Sequence, residues 1–96
     1  MMYAVLFIDN PACADQRQRF MQDHLAFLEK NAARIRAAGP LQENGAGAGG
    51  LWLVEADNAD AIMALVHADP FWPTGLRQSV RLLAWTQVFA DRRRLI

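Results

Sequence analysis

An α+β chain is predicted from two kinds of segment and their order. Apolar runs rich in β-formers alternate with stretches of helical period, in the sequence strand, helix, two strands, helix, strand. That order gives the split β-α-β, ferredoxin-like arrangement: a four-stranded antiparallel sheet with both helices on one face. The 96 residues are read as a single domain spanning 1–96, with no internal repeat and no linker.

Met2 to Ile8 is a continuous apolar run stopped by Asp9-Asn10-Pro11, the pattern of a strand covered on both faces. From about Asp15 to Ala38, Met21, Leu25, Leu28, Ala32 and Ile35 recur at three- and four-residue steps and predict one helix, ended by Gly39-Pro40. Leu41 to Glu43 reads as a short edge strand, and Asn44 to Gly50 as a flexible hairpin loop. Leu51 to Ala56 is the next strand. Asp57 or Asn58 caps a second helix striped by Ala59, Ile62, Met63 and Val66, which stops before Pro70 because a residue preceding proline avoids helical backbone. Pro73-Thr74-Gly75 allows a turn, and Ser79 to Phe89 is the last strand, apolar on both sides.

Apolar residues make up 53% of the chain, above the usual globular share, which points to extra surface buried at a subunit contact. The helix-free sheet face is where two copies would meet, so a homodimer through that face is expected. Formal net charge is zero with both signs interspersed, so no nucleic-acid or membrane-surface partner is expected. Cys13 is the single cysteine, so it reads as an incidental thiol in a reduced, cytoplasmic setting. No stretch approaches the roughly 20 apolar residues of a membrane span, and the first eight residues lack a basic leader. Arg92-Arg93-Arg94 is read as a frayed end.

Chemistry concentrates in two residues. By helical angle His24 falls between Met21 and Leu28 on the packed stripe, whereas Asp23 points to solvent. Asp69 ends the second helix in the segment His67-Ala68-Asp69-Pro70-Phe71-Trp72. Together they would form a proton-transfer pair: Asp69 accepts from one ring nitrogen, fixes the tautomer and leaves the other nitrogen facing a pocket. Separately, His24 is a hydrogen-bonded core histidine and Asp69 a turn former. Phe71 and Trp72 either wall an apolar substrate pocket or anchor the helix-to-strand connection. His67 reads as a surface cap in a last helical turn, and Arg77 and Arg81 as members of a solvated strand edge rather than a carboxylate clamp. The glycines Gly45, Gly47 and Gly49 precede a strand, not a helix, so they are no dinucleotide loop, and two histidines without further ligands at suitable spacing define no metal site.

These segments resemble the YCII-related family of small dimeric α+β barrel proteins. The resemblance rests on Met2 to Ile8, His24-Leu25, Ala38-Gly39-Pro40-Leu41, Gly50 to Asp57 and Ala68-Asp69-Pro70-Phe71, with Gly75 and the closing strand after them. It implies a histidine-aspartate site at His24 and Asp69 and cofactor-free acid-base chemistry on a small organic molecule, of the isomerase, lyase or dehalogenase type. The alternative is a non-catalytic homodimer that binds a ligand or partner in the same cleft. The family often carries an arginine three residues before the histidine, where this chain has Met21; Arg17, two turns before His24, is the candidate substitute for substrate binding.

Overall fold

Alternation along the first strand decides the two faces of the sheet. In the computed structural model, which describes residues 1–96, Val5 and Phe7 are buried on one face whereas Ile8, on the other, is half exposed. The elements run β1 (Met2–Asp9), α1 (Asp15–Arg19), α2 (Met21–Lys30), β2 (Ile35–Glu43), β3 (Ala46–Glu55), α3 (Ala59–Ala68), β4 (Arg77–Ala84) and a small hairpin β5 (Phe89–Ala90) and β6 (Arg93–Arg94). Single 3-10 turns lie at Pro11–Cys13 and Trp72–Thr74.

The main sheet has the order β2-β3-β1-β4, antiparallel throughout. Val5 pairs with Trp52 and Leu82, and Phe7 with Gly50 and Val80, so these residues share one face. Ile62, Leu65 and Val66 of α3, with Phe27 and Leu28 of α2, pack against that face and close the core. The opposite face carries Leu6, Ile8, Leu51, Leu53 and Leu83, with no helix over it. This is the α+β fold of the dimeric α+β barrel proteins. No helix is long and apolar enough to cross a membrane.

Several boundaries differ from the sequence reading. The helix expected to reach Ala38 is two helices, broken at Phe20, and it ends at Lys30. Asn31 Nδ2 donates to the Phe27 carbonyl at 2.8 Å and closes α2. From Ile35 the chain pairs with β3, so pairing along the sheet overrides the helix propensity of an alanine-rich segment. Gly39 and Pro40 lie within β2 rather than ending a helix, and β2 is an edge strand, the place where a sheet tolerates proline.

The expected glycine loop is also shorter. Asn44 and Gly45, both at positive φ, make the two-residue turn, and β3 begins at Ala46. Gly49 sits in β3 at φ +153°, where a Cβ would lie 1.8 Å from the Phe7 carbonyl oxygen, so only glycine fits. Finally, β4 runs from Arg77 to Ala84 and not from Ser79 to Phe89, and the arginine run is not a frayed end: Arg93 and Arg94 pair with Ala90 and Phe89.

Candidate active site

His24 projects from the middle of α2 into the core side of the sheet and is buried, as is Asp69 at the C-terminal end of α3. Asp69 has extended backbone (φ −65°, ψ 131°), as a residue before proline should. The two side chains meet: His24 Nδ1 lies 2.8 Å from Asp69 Oδ1. A carboxylate only accepts, so the geometry assigns a proton to Nδ1; in the neutral ring the lone pair is then on Nε2. Asp69 Oδ1 also accepts from the Phe71 amide at 3.1 Å, so the expected turn role and the expected pairing coexist in one carboxylate.

The second oxygen of Asp69 faces Arg77, whose Nη1 stands 2.9 Å away with the arginine side chain only 3% exposed. The N–H is not aimed at the oxygen, so this is an ion pair without an aligned hydrogen bond, and Arg77 Nε and Nη1 and Asp69 Oδ2 are buried without hydrogen-bond partners. Buried polar groups in that condition cost about 1–3 kcal/mol each, which marks the site as locally under-satisfied. Arg77 lies over the Phe7 ring, with its guanidinium carbon 3.7 Å from the centroid. Burial lowers its pKa to about 10, the nearby Asp69 charge opposing the shift, so the side chain remains a cation at neutral pH.

Arg77 therefore corrects the expectation of a solvated strand edge, which holds for Arg81, exposed in mid-β4. The cause is a bulge. Ile8 pairs with Ser79 but Asp9 pairs with Arg77, so Gln78 is an extra residue that reverses the alternation and turns Arg77 to the helix side. No residue-type pattern in the sequence announces that reversal.

A cavity of about 80 Å³ opens beside this group, between α2 and β2. Its walls include His24, Arg77, Arg17, Trp52, Leu28 and Pro40. Arg17 comes from α1, not from the helix of His24, and its Nη2 binds Asp9 Oδ2 at 2.7 Å, which holds the guanidinium at the rim. Phe71 and Trp72 do not wall the cavity. Phe71 stacks flat against the His24 ring, with centroids 4.2 Å apart and planes at 18°, and so supports the imidazole from behind. Trp72 lies against His67, an exposed residue in the last turn of α3. Trp52, which lies parallel to the imidazole at 6.5 Å, is the aromatic residue that lines the space; its place opposite Val5 follows from the strand register. No group of three or more His, Cys, Asp or Glu side chains is arranged to hold a metal ion.

Among solved structures, the chain is similar to 5-chloro-2-hydroxyhydroquinone dehydrochlorinase from Burkholderia phenoliruptrix AC1100, solved in complex with 2,5-dihydroxybenzoquinone. The two are 26% identical, with a TM-score of 0.78 over 90% of this chain and 94% of that one. No curated protein matches the sequence. The model of the YCII-related domain matches residues 1–86, which take in every strand of the main sheet and the whole His24, Asp69 and Arg77 group. The chain belongs to the YCII-related family.

Proposed function

We propose that the protein is an enzyme acting on a small organic molecule, with His24 as the group that moves a proton and Asp69 as the residue that positions it. The observation that carries this reading is the 2.8 Å contact between His24 Nδ1 and Asp69 Oδ1 at the wall of a cavity. With Nδ1–H committed to the carboxylate, Nε2 has no protein partner and is the basic atom left to a ligand. Phe71 stacked on one face of the ring and the ion pair behind Asp69 restrict rotation of both side chains.

In such a site Nε2 takes a proton from a substrate O–H or acidic C–H, and the electron pair left behind moves into the conjugated system. Return of the proton to a second carbon completes an isomerisation; departure of a leaving group with its electron pair, as chloride, completes an elimination. The similar dehydrochlorinase supports the second outcome for this chain, on a ring of hydroquinone type. Proton transfer of this kind calls on no cofactor.

The same chain is proposed to work as a homodimer through the helix-free face. Support comes from Leu6, Leu51, Leu53 and Leu83 sharing that face, with Ile8 52% and Leu83 40% exposed in the single chain.

The test is turnover of chlorinated and unchlorinated hydroquinones and lactones by wild type and His24→Ala. Loss of at least about a hundredfold in rate, with the near-ultraviolet circular dichroism retained, is the expected result. Turnover unchanged in His24→Ala removes the proposed role of the imidazole, and ligand binding without any turnover favours a binding module of the same fold.

A further inference from the structure

We infer that the cavity selects a small organic anion with a flat apolar body, and that Arg77 is the residue that holds its charged oxygen. This deepens the reading of the cavity as a substrate site and rests on it. The charged groups around the space are segregated. Two guanidinium groups, Arg17 and Arg77, line it beside the His24 imidazole, and no carboxylate does. Both nearby carboxylates stand outside the wall, Asp69 behind His24 and Arg77 and Asp9 behind Arg17. A ligand in the cavity therefore meets donors and positive charge, framed by Trp52, Leu28 and Pro40.

The two arginines are not equivalent. Arg17 has an aligned hydrogen bond to Asp9 and side-chain exposure of 24%, so much of its charge is answered within the protein and by solvent. Arg77 is 3% exposed; its Nη1 stands 2.9 Å from Asp69 Oδ2 without an aligned hydrogen bond, its Nε is enclosed without an acceptor, and the guanidinium still reaches the cavity wall. A guanidinium at the wall whose counterion is misaligned with it has donor capacity left for an oxygen from outside, and a carboxylate or a phenolate suits it. Size narrows the class further. The space is about 80 Å³, close to half of the roughly 150 Å³ cavity that takes up benzene, so the ligand is at most one ring with its charged edge inside and the rest at the mouth between α2 and β2.

Calorimetric titration of the wild-type chain with benzoate and with its neutral isostere benzamide tests this directly. Benzoate is expected to bind about tenfold tighter or more, and the preference to disappear in Arg77→Met while surviving in part in Arg77→Lys, which keeps the charge and loses the fork. 4-Nitrophenol distinguishes the source of the anion: its absorbance shows whether the bound form is enriched in phenolate relative to free solution. Enrichment with the benzoate preference assigns a general oxyanion site, and benzoate preference alone assigns a carboxylate site. Equal affinity for benzoate and benzamide, tighter binding of benzamide, or no saturable binding of either overturns the inference without recourse to a variant. Binding in His24→Ala separates the two readings: anion preference retained with turnover lost supports both, whereas wild-type turnover through His24 without anion preference leaves the enzyme and discards the role of Arg77.

Discussion

His24 and Asp69, 45 residues apart in the chain, are joined at 2.8 Å between Nδ1 and Oδ1, and the same carboxylate faces the buried Arg77 at 2.9 Å. One side chain thus orients the imidazole and balances a cation in the core. Asp69→Asn keeps the shape and removes the charge, so the imidazole loses the anion that supports it when it takes up a proton, and Arg77 loses its counterion. Turnover is expected to fall by about 10²–10⁴-fold, read by steady-state kinetics beside a circular dichroism spectrum that shows whether the fold persists.

Removing the other end of the ion pair tests its structural weight. Arg77→Met leaves the buried Asp69 carboxylate without its cation, held only by His24 and the Phe71 amide, a loss of about 3–5 kcal/mol that lowers Tm by more than about 10 °C. Because Asp69 and Arg77 share one interaction, the double variant Asp69→Asn with Arg77→Met is expected to cost clearly less than the sum of the two single losses in denaturant titrations.

Alkaline pH has a defined effect at Arg77. Its pKa is lowered from the ordinary arginine value to about 10, chiefly by burial. Below about pH 10 the group is charged in both folded and unfolded chains and contributes no slope to stability; above it the unfolded chain binds more protons, so this group's contribution to stability rises with pH until the arginine of the unfolded chain loses its proton as well. The Nε–H resonance of Arg77 is therefore expected to hold its position from neutral pH and to shift as pH approaches 10.

Gly49 separates a backbone constraint from a mere loop. Gly49→Ala drives a methyl group into the Phe7 carbonyl, so β1 and β3 cannot keep their register; a loss of more than about 3 kcal/mol or failure to fold is expected. The control is Gly39→Ala, where nothing lies within 4 Å of the added carbon, and its denaturation midpoint should stay near wild type.

The proposed dimer is checked by light scattering, which should report about twice the 10.8 kDa of one chain at micromolar concentration. Leu53→Lys places a charge on the helix-free face and removes about 1.5–3 kcal/mol of apolar burial, which weakens association by roughly ten- to a hundredfold.

What was legible in the sequence was whatever depends on local chemistry. The apolar run of β1, the Asn58 cap and stripe of α3, and the break at Asp69-Pro70 are each set by neighbouring residues, and the structure places them as read, with Asn58 Oδ1 accepting from the Ala61 amide at 2.9 Å. The inward side of α2 followed from periodicity, which put His24 in the core. What was hidden depends on pairing between distant strands. Residues 35–38 have helical composition and become strand only because β3 offers them a partner. Arg77 turns inward through a one-residue bulge against Asp9, which reverses the alternation that residue types at 79–83 imply. Phe71, expected as a pocket wall, stands behind the imidazole because the turn after Asp69 folds its ring onto His24.

The measurement closest to the central claim is the nitrogen-15 spectrum of the His24 imidazole in the ligand-free protein at neutral pH. The expected spectrum shows the proton of Nδ1 held by Asp69 and an Nε2 signal that moves when an anionic ligand enters the cavity. A ring protonated at Nε2, or one that is unchanged by Asp69→Asn in a folded protein, would contradict it.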